Sequence, residues 1–98
     1  MAYEVALEPN AIEHLQSLSA RDRTTLLDAI EEQLVHTPTQ ETHNRKSLRP
    51  NELARWELRV EKFRVFYDVV ESEKKVRVLA IGYKERERLF IGGKEYRL

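Results

Sequence analysis

The chain has 98 residues, of which 41% are hydrophobic and 35% charged, and its formal net charge is zero. That length predicts a single domain over residues 1–98 with one modest core, and the composition excludes a disordered chain. No apolar run approaches the ~20 residues of a membrane span. The opening MAYEVALEPN lacks the basic start and apolar stretch of a secretion signal, so cytoplasmic residence without membrane association is expected. With no cysteine present, disulfides and thiolate chemistry are excluded.

The zero net charge hides an asymmetry. Residues 1–40 hold two basic side chains against seven acidic ones, and residues 41–98 hold fifteen against ten. Such segregation gives a locally positive face. It suits a mixed solvated or protein-binding surface ahead of an anionic partner.

In chain order, Tyr3, Val5 and Leu7 alternate with polar or small neighbours and predict a first strand, stopped at Glu8-Pro9. A helix is expected from Pro9-Asn10, with Ile12, Leu15 and Leu18 as its apolar stripe. Ser19 followed by Asp22 resembles a capping box, opening a second helix to about Leu34 with Leu26, Leu27, Ile30 and Leu34 inward. The break between them is too short for a crossover, so the helices form a hairpin on one face of a sheet. His14 reads as a surface residue.

Residues 36–53, HTPTQETHNRKSLRPNEL, show little periodicity and read as the one long irregular segment, anchored by Leu48. Three alternating pieces follow. Trp56, Leu58 and Val60 share one side of the first; Phe63, Val65, Tyr67 and Val69 of the second; Val76, Val78 and Ala80 of the third. The connections at Glu61-Lys62 and Glu71–Lys75 are too short for parallel pairing, which predicts an antiparallel three-stranded meander. The fold class is therefore α+β: an N-terminal strand, a helix hairpin, then a meander forming one small sheet. Gly92-Gly93 between apolar pairs signals a hairpin, while Lys84–Ile91 reads as either a short helix or an extended arm.

Metal, triad and phosphate-loop chemistry find no spacing to support them. His14, His36 and His43 form no ligand pair, and Gly82 and Gly92-Gly93 lack the context of a phosphate loop. No cofactor is expected. The polar groups that stand out are basic: Arg55 and Arg59 alternate against the core side of their strand, Arg64 against Phe63 and Val65, and Lys84 and Arg86 follow the last strand. Converging on one side of the sheet, they would hold a phosphodiester and stabilise its cleavage by a neighbouring 2′-hydroxyl. The competing reading is edge decoration paired with Glu57, Glu61 and Glu85.

The order of elements, with WELRVEKFRVFYDV (56–69) and VRVLAIGYKERERLF (76–90), resembles the RelE/ParE superfamily of bacterial toxins from type II toxin–antitoxin pairs. The resemblance covers nearly the whole chain. It implies a toxin neutralised by a cognate antitoxin, with operator DNA bound only indirectly through that antitoxin. In the messenger-cleaving branch, whose partners are the ribosome and mRNA, it implies catalytic roles for Arg64, Arg55, Lys84 and Arg86. Substrate-binding roles would then fall to Arg59, Arg45, Lys46, Arg49 and Tyr83. Glu57 stands where that branch has a lysine, and Phe90 near the position of its tyrosine. The ParE-like branch implies inhibition of DNA gyrase through protein contacts, and a degenerate member would bind only its antitoxin. The expectation carried forward is a ribosome-dependent mRNA endoribonuclease, with the gyrase inhibitor as its alternative.

Overall fold

The computed structural model describes residues 2–98. Strand β1 (Glu4–Leu7) leads into helices α1 (Pro9–Gln16) and α2 (Ala20–Leu34). Strands β2 (Arg45–Ser47), β3 (Trp56–Val60), β4 (Phe63–Val70), β5 (Lys75–Glu85), β6 (Arg88–Ile91) and β7 (Lys94–Tyr96) follow. The described residues form one seven-stranded sheet in the order β2-β3-β4-β5-β6-β7, antiparallel throughout, with β1 added parallel to β5. The expected α+β architecture is present, and its meander is extended at both ends. Among these residues no helix is long and apolar enough to cross a membrane.

Proline at the start of α1 fits a position whose amide has no helical partner. At α2, the Ser19 hydroxyl accepts from the Asp22 amide at 3.1 Å and caps the helix. The buried rows are Ala11 and Leu15 on α1, and Leu26, Ile30 and Leu34 on α2. Ile12 and Leu27, expected to point inward, are instead 42% and 43% exposed. Each directly follows a buried residue and so lies about 100° round the helix from it. The four-residue rows set the buried face, and the apolar neighbours are turned outward.

The helices and one face of the sheet enclose the main core, in which Leu58, Val60, Val65, Tyr67, Val76, Val78 and Ile81 take part. A second, smaller cluster of Ala54, Phe66, Ala80 and Leu89 lies apart from it, with Leu48 packed against it. The second cluster exists because of a bulge. Phe66 pairs with Ala80, whereas Tyr67 pairs with Val78, so Leu79 is an extra residue in β5. One unpaired residue inverts the parity beyond it. Ala80 therefore leaves the side of Val76 and Val78 where alternation had placed it, and Ile81 takes over the core side.

The edge of β5 is shared: β1 pairs with residues 75–78 and β6 with residues 82–85. In the gap between them the Ile81 amide donates to His14 Nδ1 at 3.1 Å. His14 is thus half-buried and structural rather than a surface group. Desolvation holds its pKa below the ordinary histidine value, against a smaller opposing effect of Glu13. Only the neutral ring can accept this hydrogen bond, so a depressed folded pKa means that the unfolded chain takes up the proton first. Stability is full above the unfolded pKa of about 6.5 and falls as pH drops through the folded pKa. Urea unfolding at pH 7.5 and 5.5 should show a loss of about 1 kcal/mol, the worth of one hydrogen bond. His14→Asn, which keeps an acceptor without titrating, should lack it; equal losses in both proteins would refute this role.

At the C-terminal end, Gly92 and Gly93 both have positive φ, 61° and 80°. This is the backbone a two-residue type I′ hairpin turn requires and glycine supplies without strain. The segment from Lys84, open between helix and extended arm in the sequence, is strand on both sides of a turn at Arg86-Glu87.

Candidate functional site

Opposite the helices the sheet has a second face, floored by the small cluster around Phe66. The tight connection after Val60 brings Arg59 directly opposite Arg64. Glu57 pairs with Phe66 on one side and Lys46 on the other. Beyond the bulge, Gly82 pairs with Arg64, and Lys84 lies two residues further along β5. Without Leu79 as an extra residue, Lys84 would have continued the core side of Val76 and Val78. The bulge is what places a lysine beside the arginine pair.

The predicted cations differ in what their side chains are free to do. Arg64 is only 6% exposed. Its Nη1 donates to the carbonyl oxygens of Glu61 at 3.0 Å and Phe63 at 2.8 Å, and its Nε is buried without a partner. Desolvation, with Arg59 adding to it, holds the Arg64 pKa below the ordinary arginine value, and Glu57 works in the other direction. Arg59 and Lys84 are exposed. Arg55 precedes β3, where its amide donates to Asp68 Oδ1 at 2.7 Å. Four residues of strand, about 13 Å, separate it from Arg59.

Arg45, expected to bind substrate, is instead turned inward. It is 6% exposed. Its Nε donates to the Gln40 carbonyl at 3.0 Å and its Nη1 to the Gln33 carbonyl at 3.1 Å and to Gln33 Oε1. A cation on the last carbonyls of α2 answers the negative end of that helix. Its pairing with Leu58 puts it on the helix side of the sheet, away from Arg64. Tyr83 is also on that side, packed on the main core and stacked on Phe90 with ring centroids 5.4 Å apart. Arg86 occupies the β5–β6 turn with a φ of 51°, exposed.

Between the loop after β2 and the C-terminal hairpin runs a cleft of about 900 Å³. Lys46, Arg49, Lys84 and Arg88 line it together with Glu57, Leu89 and Tyr96. Glu57 is its anomaly: a carboxylate only 7% exposed, whose one ionic partner is the exposed Lys46 at 3.6 Å. Strand parity had already put Glu57 on the polar side of β3, but nothing in the sequence signalled its burial. In the fold it lies between Lys46 and Phe66 on the adjoining strands and lines a cleft with residues of the C-terminal hairpin. None of the three histidines lines the cleft, and no cluster of described residues is arranged to hold a metal ion.

The structure therefore brings Arg59, Arg64 and Lys84 onto one face, with Lys46 and Arg49 along the adjoining cleft. It leaves Arg55 at the far end of β3, Arg86 at a turn, and Arg45 and Tyr83 on the other side.

Residues 5–88 match the family model described as the ParE toxin of the type II toxin–antitoxin system parDE. The chain belongs to this family. Solved structures agree on the fold. A chain of the RelBE2 toxin–antitoxin complex from Mycobacterium tuberculosis superposes with a TM-score of 0.71 at 19% identity, over 86% of this chain and 100% of that one. A chain of the archaeal RelE–RelB complex from Pyrococcus horikoshii gives 0.66 at 22% identity, over 88% and 99%. No curated protein matches by sequence.

Proposed function

We propose that this chain is the toxin of a parDE-type pair, held inactive by a cognate antitoxin, and that it inhibits DNA gyrase by protein contact rather than by cutting messenger RNA. The observation that carries this reading is the state of Arg64. A cation that stabilises a cleaving phosphodiester must aim free donors at the charge that develops. Arg64 is 6% exposed, has given Nη1 to two backbone carbonyls of its own hairpin and has its Nε buried, which leaves Nη2 as the donor it could aim outward. Beside it Glu57, buried on the same face, repels a phosphate. The ParE family match supports the same reading, and the two solved complexes, one the RelBE2 toxin–antitoxin complex and one a RelE–RelB complex, support the antitoxin partner.

Messenger cleavage keeps one supporting observation, the presence of Arg59, Arg64 and Lys84 on a single face. Inducible expression without the antitoxin separates the two. Under the proposal growth stops, plasmid supercoiling is impaired and messenger remains intact. Cleaved messenger with 2′,3′-cyclic phosphate ends and normal supercoiling would replace gyrase with the ribosome as the target.

A further inference from the structure

We infer that the cleft between the loop after β2 and the C-terminal hairpin is a receptor for an arginine side chain of a partner protein, with Glu57 as the buried acceptor. This deepens the protein-contact reading and rests on it. A carboxylate is seldom buried unless it is paired and hydrogen-bonded. The Glu57 side chain is nine-tenths buried with its oxygens still open to the cleft, no hydrogen bond from another described residue reaches it, and its ion pair is a 3.6 Å contact to a lysine side chain that is itself 62% exposed. Lys46 has most of its side chain in water already and holds Glu57 only at 3.6 Å, so it can give way to a better-matched donor. An incoming guanidinium offers what Lys46 does not: two parallel donors in a planar fork matched to a carboxylate.

The walls indicate what flanks that arginine. Lys46, Arg49, Lys84, Arg88 and Arg97 outnumber Glu87 and Glu95 on the walls around Glu57, so acidic residues on either side of the anchor meet a net positive lining. Tyr96 and Leu89 add apolar surface for the guanidinium plane and its methylene stem. The occupant is therefore a peptide segment with one arginine between acidic residues. A nucleic-acid strand, which would bring phosphates towards Glu57, fits the floor poorly. The family match ends at residue 88, so Leu89 and Tyr96 belong to a part of the wall outside it.

The test is a titration of the isotope-labelled chain with the blocked peptide Asp-Glu-Arg-Glu-Asp, followed by NMR shifts. The Glu57 side-chain carboxyl and the Leu89 methyl signals should move saturably. Replacing the peptide's arginine by citrulline, which keeps the shape and removes the charge, should weaken binding at least tenfold, and so should Glu57→Gln in the protein. Equal affinity for the citrulline peptide would overturn the proposal using the unaltered protein. So would a cleft that ignores the peptide but binds an oligouridylate more tightly in Glu57→Gln. Neither arm contains gyrase or ribosomes, so failure here is distinct from failure of the supercoiling assay.

Discussion

Tyr67→Ala is expected to cost about 3–5 kcal/mol, in the range for removing a large aromatic side chain from a core. Tyr67 has no exposed surface, stacks on Trp56 at a centroid distance of 6.2 Å, and donates its hydroxyl to the Pro38 carbonyl at 2.6 Å. Burial raises the Tyr67 pKa, with a smaller opposing effect from Arg45, so the hydroxyl stays protonated and keeps donating. Two separate structures depend on the ring: the core under α2, and the loop that returns from α2 to β2. Tyr67→Phe isolates the second, with an expected loss of about 1 kcal/mol. Urea unfolding gives both values. A Tyr67→Ala loss no larger than that of Tyr67→Phe would mean that the ring contributes nothing to the core beyond its hydroxyl.

Gly82→Ala should destabilise by a different route. A Cβ at residue 82 would stand 2.5 Å from the Phe90 carbonyl oxygen and 2.8 Å from Ile91 Cγ1. The first of these atoms is backbone, so β5 and β6 would have to separate. A loss of about 3 kcal/mol is expected, at the upper end of the usual overpacking cost. Gly93→Ala is the control. It meets nothing within 4 Å, and only its φ of 80° opposes the methyl group, a strain of about 1 kcal/mol. A smaller loss at 82 than at 93 would refute the close approach of the strands. Because Gly82 pairs with Arg64, the same substitution should also shift the Arg64 side-chain NMR signals.

These two positions mark how far the sequence could be read. The meander, the helix hairpin and the glycine turn were legible because each depends on neighbours close in sequence. The pairing of Arg59 with Arg64 followed from the two-residue connection between their strands. The bulge at Leu79 was not legible. VRVLAIGY is apolar enough to alternate in either phase, and only its partner strand shows where a residue is left over. Arg45 and Glu57 were misleading for a related reason. Polar side chains in a loop and on a strand's outer face read as solvated, whereas Arg45 turns back onto the carbonyls of Gln40 and Gln33 and Glu57 sits in a cleft shared with the distant C-terminal hairpin. Ile12 and Leu27 erred the other way, since adjacent apolar residues on a helix leave its inward face undetermined.

The parallel pairing of β1 with β5 has a consequence for how the protein comes into being. Glu4 is matched to Lys75 and Leu7 to Val78, so the first strand waits for a partner some seventy residues later. Closing a loop of that size rather than a three-residue turn costs about 3 kcal/mol more in chain entropy. Local contacts favour early formation of the β3–β4–β5 hairpins, and the pairing of β1 is expected late in folding. Until then the first strand has no pairing edge, α1 has not brought His14 to the Ile81 amide, and the main core is open along one side. During synthesis β1 therefore stays unpaired at least until β5 has been made.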